Sequence, residues 1–178
     1  SCRIILIKRK IIVFSIMNLK EVPTTDLLGK SIGFFDPMNG GKSERLVAEL
    51  IRAWYFSLNS IVYNHERNTR EKDSVVVNGQ RKFPGKTVGS ILEAWVDLES
   101  RTETLRFHEQ RIGKKGVKKG DEIRIGGVPH YLGYPLAVVG IDEVNLFSLS
   151  EKEATDTIDF MDWCRDNNIA LLVAGLIY

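Results

Sequence analysis

With 178 residues the chain is long enough for one domain with a sizeable buried core. Its 43% hydrophobic and 27% charged content is ordinary for a globular protein, and a formal net charge of +2 gives no overall basic field for holding nucleic acid. Cys2 and Cys164 exclude a disulfide framework and a four-cysteine zinc site, and a reducing compartment is the simpler reading.

Residues 1–30 read as an N-terminal extension. The apolar runs 4–7 and 11–14 are broken by Lys8-Arg9-Lys10, and each is far short of the ~20 residues that cross a bilayer. They also lack the continuous core and cleavage site of a signal peptide. Met17 reads as the natural start, with an edge strand or basic tail before it as the alternative.

Residues 31–35 form a short apolar run closed by Pro37 and Gly40-Gly41, the pattern of a buried strand ending in a turn. A helix follows, with Leu46, Leu50 and Trp54 in one stripe and Val47, Ile51 and Tyr55 beside it. Residues 61–63 read as a second strand and 75–77 as a third, before an Asn78-Gly79 turn signal. A weak helical pattern covers 91–98. Residues 99–130 break the rhythm with Lys114-Lys115, Lys118-Lys119 and glycines at 113, 116, 120, 126 and 127, and read as a β-hairpin insertion with a basic tip. Residues 137–141 are an apolar strand, and 151–167 a helix with Ala154, Ile158, Met161 and Arg165 along one side. Residues 169–174 are a last buried strand. Strands alternating with helices predict an α/β fold, a mainly parallel sheet flanked by helices as in RecA-like P-loop NTPases, over residues 31–178.

Between the first strand and its helix lies Asp36-Pro37-Met38-Asn39-Gly40-Gly41-Lys42-Ser43, in the context a Walker A loop requires. Backbone N–H groups of such a loop, with the positive end of the helix dipole, bind phosphate oxygens. Lys42 would neutralise β/γ oxygens and Ser43 would ligate Mg²⁺. The pattern asks for glycine at position 36, and an Asp there adds a Cβ and a carboxylate near the phosphates. The strand 137–141 ends in Asp142-Glu143, the Walker B layout: Asp142 to hold Mg²⁺, Glu143 as general base.

Met38, Gly41-Lys42-Ser43-Glu44, Ile141-Asp142-Glu143-Val144-Asn145-Leu146-Phe147 and Val173-Ala174-Gly175-Leu176 occur in the order seen in the thymidine kinase family of cellular and bacterial type, which this chain resembles over residues 30–98 and 135–178. Asn68-Thr69-Arg70 stands where that family has Asp-x-Arg. The resemblance implies transfer of the ATP γ-phosphate to the 5′-hydroxyl of thymidine. Glu143 would be the base and Ser43 and Asp142 the Mg²⁺ partners. ATP would be bound through Asp36, Pro37, Met38, Asn39, Gly40, Gly41, Lys42, Ser43, Arg70, Asp142, Val144 and Asn145. Met38, Leu146 and Phe147 would lie beside the nucleoside. It also implies a homo-oligomer taking part in nucleotide salvage, with ATP and Mg²⁺ as cofactors, and the compartment is expected to be the cytoplasm. The short apolar runs argue against a membrane partner and the small net charge against a nucleic-acid one.

Several positions depart from the family. Asp36 replaces glycine, Asn145 glutamine, Leu146 the first phenylalanine, Asn64-His65 Lys-Pro, and Asn68 aspartate. The family's zinc ribbon and thymine-gripping lasso have no counterpart in residues 1–178, so a truncated or diverged member, without zinc, is expected. Two other functions compete: a P-loop nucleotide-binding paralogue without thymidine kinase activity, and a RecA-like nucleic-acid-dependent ATPase using the basic insertion. His65, His108 and His130 are expected to be structural or surface residues, Cys164 a packed thiol, and Trp54, Trp95 and Trp163 core.

Overall fold

The computed structural model describes residues 2–7, 10–15, 24–36, 41–68, 72–77 and 81–176. Met17, Pro37 to Gly40, Arg70 and the Asn78-Gly79 signal lie outside them. In chain order the elements are β1 (Cys2–Ile7), β2 (Lys10–Ser15), β3 (Ser31–Asp36), α1 (Lys42–Tyr55), β4 (Asn59–His65), β5 (Ser74–Val77), β6 (Arg81–Pro84), β7 (Lys86–Val88), α2 (Ile91–Glu109), β8 (Glu122–Ile125), β9 (Val128–Tyr131), β10 (Leu136–Ile141), α3 (Glu151–Asp166) and β11 (Ala170–Leu176). A 3-10 turn spans Thr24–Leu27 and another Val144–Phe147.

Five strands form one sheet in the order β3-β11-β10-β4-β7, and every neighbouring pair is parallel. The fold is therefore α/β, with helices on both faces. The side-chain period of two sorts the core: Ile61, Tyr63, Val139, Ile141, Leu171 and Val173 face α2 and α3, while Val62, Val138, Leu172 and Ala174 join Ile32 and Phe34 under α1. Burial on both faces explains why these strands read as unbroken apolar runs. On α1 the buried stripe is Leu46, Val47, Leu50 and Ala53; Trp54 is half-buried and stacks on Phe83 at 5.1 Å, and Tyr55 is exposed. The helix lies close to the sheet because β10 offers Gly140, where an added Cβ would meet Leu50, Val62 and Leu46 at 3.1–3.2 Å. Ser60 Oγ donates to the Leu50 carbonyl at 2.9 Å from the strand below.

Several expectations are corrected. β1 and β2 pair with each other as an antiparallel hairpin and do not join the edge of the main sheet. β5 pairs with β6 in a separate hairpin, and the short β7 takes the edge of the main sheet. The largest change is in 99–130. α2 runs on through Glu109, because Ile91, Ala94, Leu98, Arg101 and Leu105 form one buried stripe at helical spacing. Arg101 disguises that stripe: it is a cation at a core position, held by Asp97 one turn earlier and by the Ile125 carbonyl. Asp97 also accepts from Tyr63 Oη and from Lys86 Nζ. Burial alone would raise its carboxyl, but these donors together hold it below the usual carboxylate range. The hairpin is confined to β8 and β9, turning at Gly126-Gly127, and the lysines lie in the preceding turn, 110–121.

α3 starts at a capping box in which Ser150 and Glu153 exchange backbone bonds. Its buried face is Thr157, Phe160 and Cys164, with Ala154, Ile158 and Met161 flanking it and Arg165 exposed. Burial pushes the Cys164 thiol up to about 12, which makes it a packing residue. No described helix is long and apolar enough to cross a membrane.

Candidate active site

β3 and β10 each end at the same edge of the sheet, on either side of β11. That edge, the carboxyl ends of the parallel strands, is where open α/β sheets take ligands. Gly41 sits at φ 76° as the residue before α1, a left-handed conformation that favours glycine, and Lys42 and Ser43 are the first residues of the helix. Their amide N–H groups belong to the first helical turn, which has no intrahelical acceptor for them.

Across the edge, Ser43 Oγ donates to Asp142 Oδ1 at 2.9 Å. Lys42 Nζ lies 3.5 Å from Glu143 Oε1, and both side chains are almost fully buried. The two carboxylates diverge because the chain leaves β10 abruptly. Asp142 N still donates to the Tyr63 carbonyl at 3.0 Å, continuing the strand pairing. Glu143 then takes a left-handed conformation, φ 51° and ψ 50°, as the residue before the 3-10 turn. A non-glycine residue held there stores strain of order 1 kcal/mol and re-aims its side chain toward α1.

Burial raises the Asp142 carboxyl above its usual range against the bond from Ser43, with neighbouring Glu143 adding to the rise. A desolvated carboxylate beside a hydroxyl, both hard oxygen donors, fits Mg²⁺, which commonly uses only one or two protein ligands beside substrate phosphates and water. Among the described residues no group of three or more His, Cys, Asp or Glu is placed to hold a metal.

The remaining residues of the motif lie in the turn after β10. Asn145 Oδ1 accepts from Leu176 N at 3.4 Å, tying this turn to the end of β11. Val144 and Leu146 are half-buried. Phe147 is 1% exposed and packs edge-on against His65, ring centres 4.7 Å apart, so it is part of the core at this edge. His65 is itself fixed: its Nδ1 accepts from Arg67 N at 3.0 Å. Asn68 Nδ2 donates to Asn64 Oδ1 at 2.9 Å, bracing the turn that follows β4.

Sequence reasoning missed Arg45. Its Nη1 lies 3.3 Å from Asp36 Oδ2 as an ion pair without hydrogen-bond geometry, so the carboxylate that replaces glycine faces a guanidinium. The signal was available in principle: position 45 lies in the first turn of the helix, within reach of the strand end that precedes the loop.

No family model matches the chain, and no curated protein matches it. Among solved structures, the chain is similar to the cytoplasmic domain of the Thermomonospora curvata type VII secretion ATPase EccC, at 12% identity and a TM-score of 0.42. The match covers 94% of this chain and 17% of that one.

Proposed function

We propose that the chain is a Mg²⁺-dependent phosphotransferase of the thymidine kinase type, moving the ATP γ-phosphate to the 5′-hydroxyl of thymidine in cytoplasmic nucleotide salvage. The observation that carries the nucleotide half of this reading is the 2.9 Å bond from Ser43 to Asp142, which joins the two phosphate-handling motifs at one sheet edge. The acceptor half rests on the ordered resemblance of Met38, the 141–147 segment and the 173–176 segment to that family. A homo-oligomeric state comes with the same resemblance.

In this reading Ser43 and Asp142 would hold Mg²⁺, which when bound supplies charge neutralisation to the phosphates. Lys42 trades its contact with Glu143 for phosphate oxygens. Glu143, released and aimed by its turn conformation, accepts the proton of the attacking hydroxyl. The catalytic work of the chain is then positioning and electrostatics.

A second reading, a triphosphate-binding module without thymidine transfer, is favoured by the burial of Phe147. That burial removes one of the side chains the resemblance sets beside the base. Radiolabelled thymidine with Mg·ATP separates the two. Labelled monophosphate that disappears in Lys42→Ala supports the kinase. Triphosphate binding lost in Lys42→Ala, with no labelled product from the parent chain, supports the module. Absence of both overturns both readings.

A further inference from the structure

The turn between α2 and β8, residues 110–121, carries Arg111, Lys114, Lys115, Lys118 and Lys119, all exposed. Among the described residues none of these five side chains takes part in an ion pair. The acids closest in sequence are engaged elsewhere. Glu109 Oε1 accepts from Gly133 N at 3.2 Å, Asp121 Oδ2 from the Lys118 backbone N at 2.7 Å, and Glu122 pairs with Arg124 at 3.1 Å. Residues 109–124 contain six cations and three acids, a larger positive excess than the +2 of the whole chain. The small net charge therefore conceals a local field.

The turn is built, with its backbone bonded internally from Lys114 N to Arg111 O, Val117 N to Lys114 O and Gly113 N to Val117 O, at 2.9–3.0 Å. Gly120 N donates to Leu132 O at 2.8 Å, anchoring the turn to the segment before β10. Gly113 and Gly116 have open space around them, so a linear polymer can approach the backbone closely. In the last turn of α2, Phe107 is 65% exposed.

This surface is remote from Lys42 and Ser43. α2 begins just past the C-terminal end of β7, and its 19 residues, at ~1.5 Å each, carry the chain about 28 Å away. The return is fixed at the N-terminal edge, where Asn59, the first residue of β4, bonds the Tyr131 and Tyr134 carbonyls and the Pro135 carbonyl.

We propose that the 110–121 turn, with Phe107, is a binding surface for single-stranded nucleic acid, separate from the nucleotide site and independent of the phosphotransferase reading. Unpaired cations meet the phosphodiester backbone, and the exposed ring gives an unpaired base a face to stack on. A lipid surface fits less well, because among the described residues Phe107 is the one large exposed apolar side chain in this region.

The test is fluorescence anisotropy of a labelled oligo-dA of about 20 nucleotides on the full chain, from about 50 to about 200 mM salt. Adenine is chosen because a thymine-bearing probe can enter the proposed acceptor site. Four phosphate contacts predict a log–log salt slope of about −3. Lys114→Glu with Lys115→Glu and Lys118→Glu should weaken binding about tenfold or more and flatten the slope. Lys119 is left intact because its stem packs over Gly133. Phe107→Ala should weaken binding several-fold at an unchanged slope. No saturable binding at low salt, or equal binding by the triple variant, overturns the proposal. So does binding to vesicles of phosphatidylcholine and phosphatidylserine without a response to the oligonucleotide.

Discussion

Arg45 Nη1 stands 3.3 Å from Asp36 Oδ2, so the carboxylate at the entrance to the phosphate loop meets a positive charge from the first turn of the following helix. Arg45 is 63% exposed, and a solvent-screened pair of this kind contributes less than about 1 kcal/mol. Arg45→Ala should weaken triphosphate binding by about two- to fivefold, within that range. In an Asp36→Gly background the same change should cost little. Calorimetry on the four chains of this cycle measures the coupling; identical losses in both backgrounds would mean that Arg45 acts on the nucleotide and not through Asp36.

Ser43→Ala and Asp142→Asn should each reduce the Mg²⁺ dependence of triphosphate binding while leaving metal-free binding close to the parent value. A loss of about tenfold in affinity corresponds to 1.4 kcal/mol, modest for removing a hard oxygen donor. Titration of a fluorescent triphosphate with and without Mg²⁺ reads this directly. An unchanged Mg²⁺ effect in both variants would remove the metal from this edge.

Glu143→Gln should lower turnover by about 10²–10⁴-fold if the chain transfers phosphate. Triphosphate binding should hold or tighten, because Lys42 loses a charged competitor 3.5 Å away. Weaker binding in that variant would assign Glu143 to organising the site, with no separate part in proton transfer.

His130 is fully buried with Nε2 unpartnered, while Nδ1 lies 3.0 Å from the Val128 carbonyl. Burial lowers its basicity, and the Arg101 charge adds to that, while the Val128 carbonyl and Asp97 oppose it. His65 is lowered too, by burial first and then by Arg67. For a histidine lowered in the folded state, the unfolded chain takes up its proton first as the pH falls. Stability is therefore full above an unfolded value of about 6.5 and declines as pH drops below it toward the folded value. Urea midpoints should fall between about pH 6.5 and 5.5, before most carboxylates titrate, and His130→Gln should flatten that decline. A flat midpoint in the parent chain over this interval would contradict the assignment.

Gly140→Val should destabilise by about 1–3 kcal/mol, since its methyls would force Leu46 and Leu50 of α1 off the sheet. Chemical denaturation measures the loss. Because α1 carries Lys42 and Ser43, weaker triphosphate binding should accompany it, and stability lost without any change in binding would show that the loop is held independently of the helix.

The central strands were legible because burial on both faces writes them as continuous apolar runs: Val138 and Val139 point to opposite cores, and both are apolar. α1 was legible because its glycine-rich entry and its stripe agree. β7 was not: Lys86, Thr87 and Val88 are too short and too polar for periodicity to register. The second half of α2 was hidden by Arg101, whose burial depends on Asp97, Lys86 and Tyr63, partners that one-dimensional pattern does not bring together. The candidate site residues Lys42, Ser43, Asp142 and Glu143 stand out by type and context, but their contacts with one another do not. The left-handed turn of Glu143 and the Asp36–Arg45 pair depend on tertiary placement. The resemblance sets Phe147 beside a ligand, and sequence does not reveal that its ring is buried edge-on against His65.

β11 lies between the two strands that carry the site, yet it is the last of them in chain order. Until β11 is in place, β3 has no lateral partner in the sheet, and Ser43 has no opposing acid at a fixed distance. β3 and β10 stand two strand spacings apart, roughly 10 Å, and the separation across which Ser43 meets Asp142 is set by residues 170–176 between them. The geometry of the candidate site therefore depends on β11, and a chain in which that strand is not yet in place leaves the facing edges of β3 and β10 unpaired.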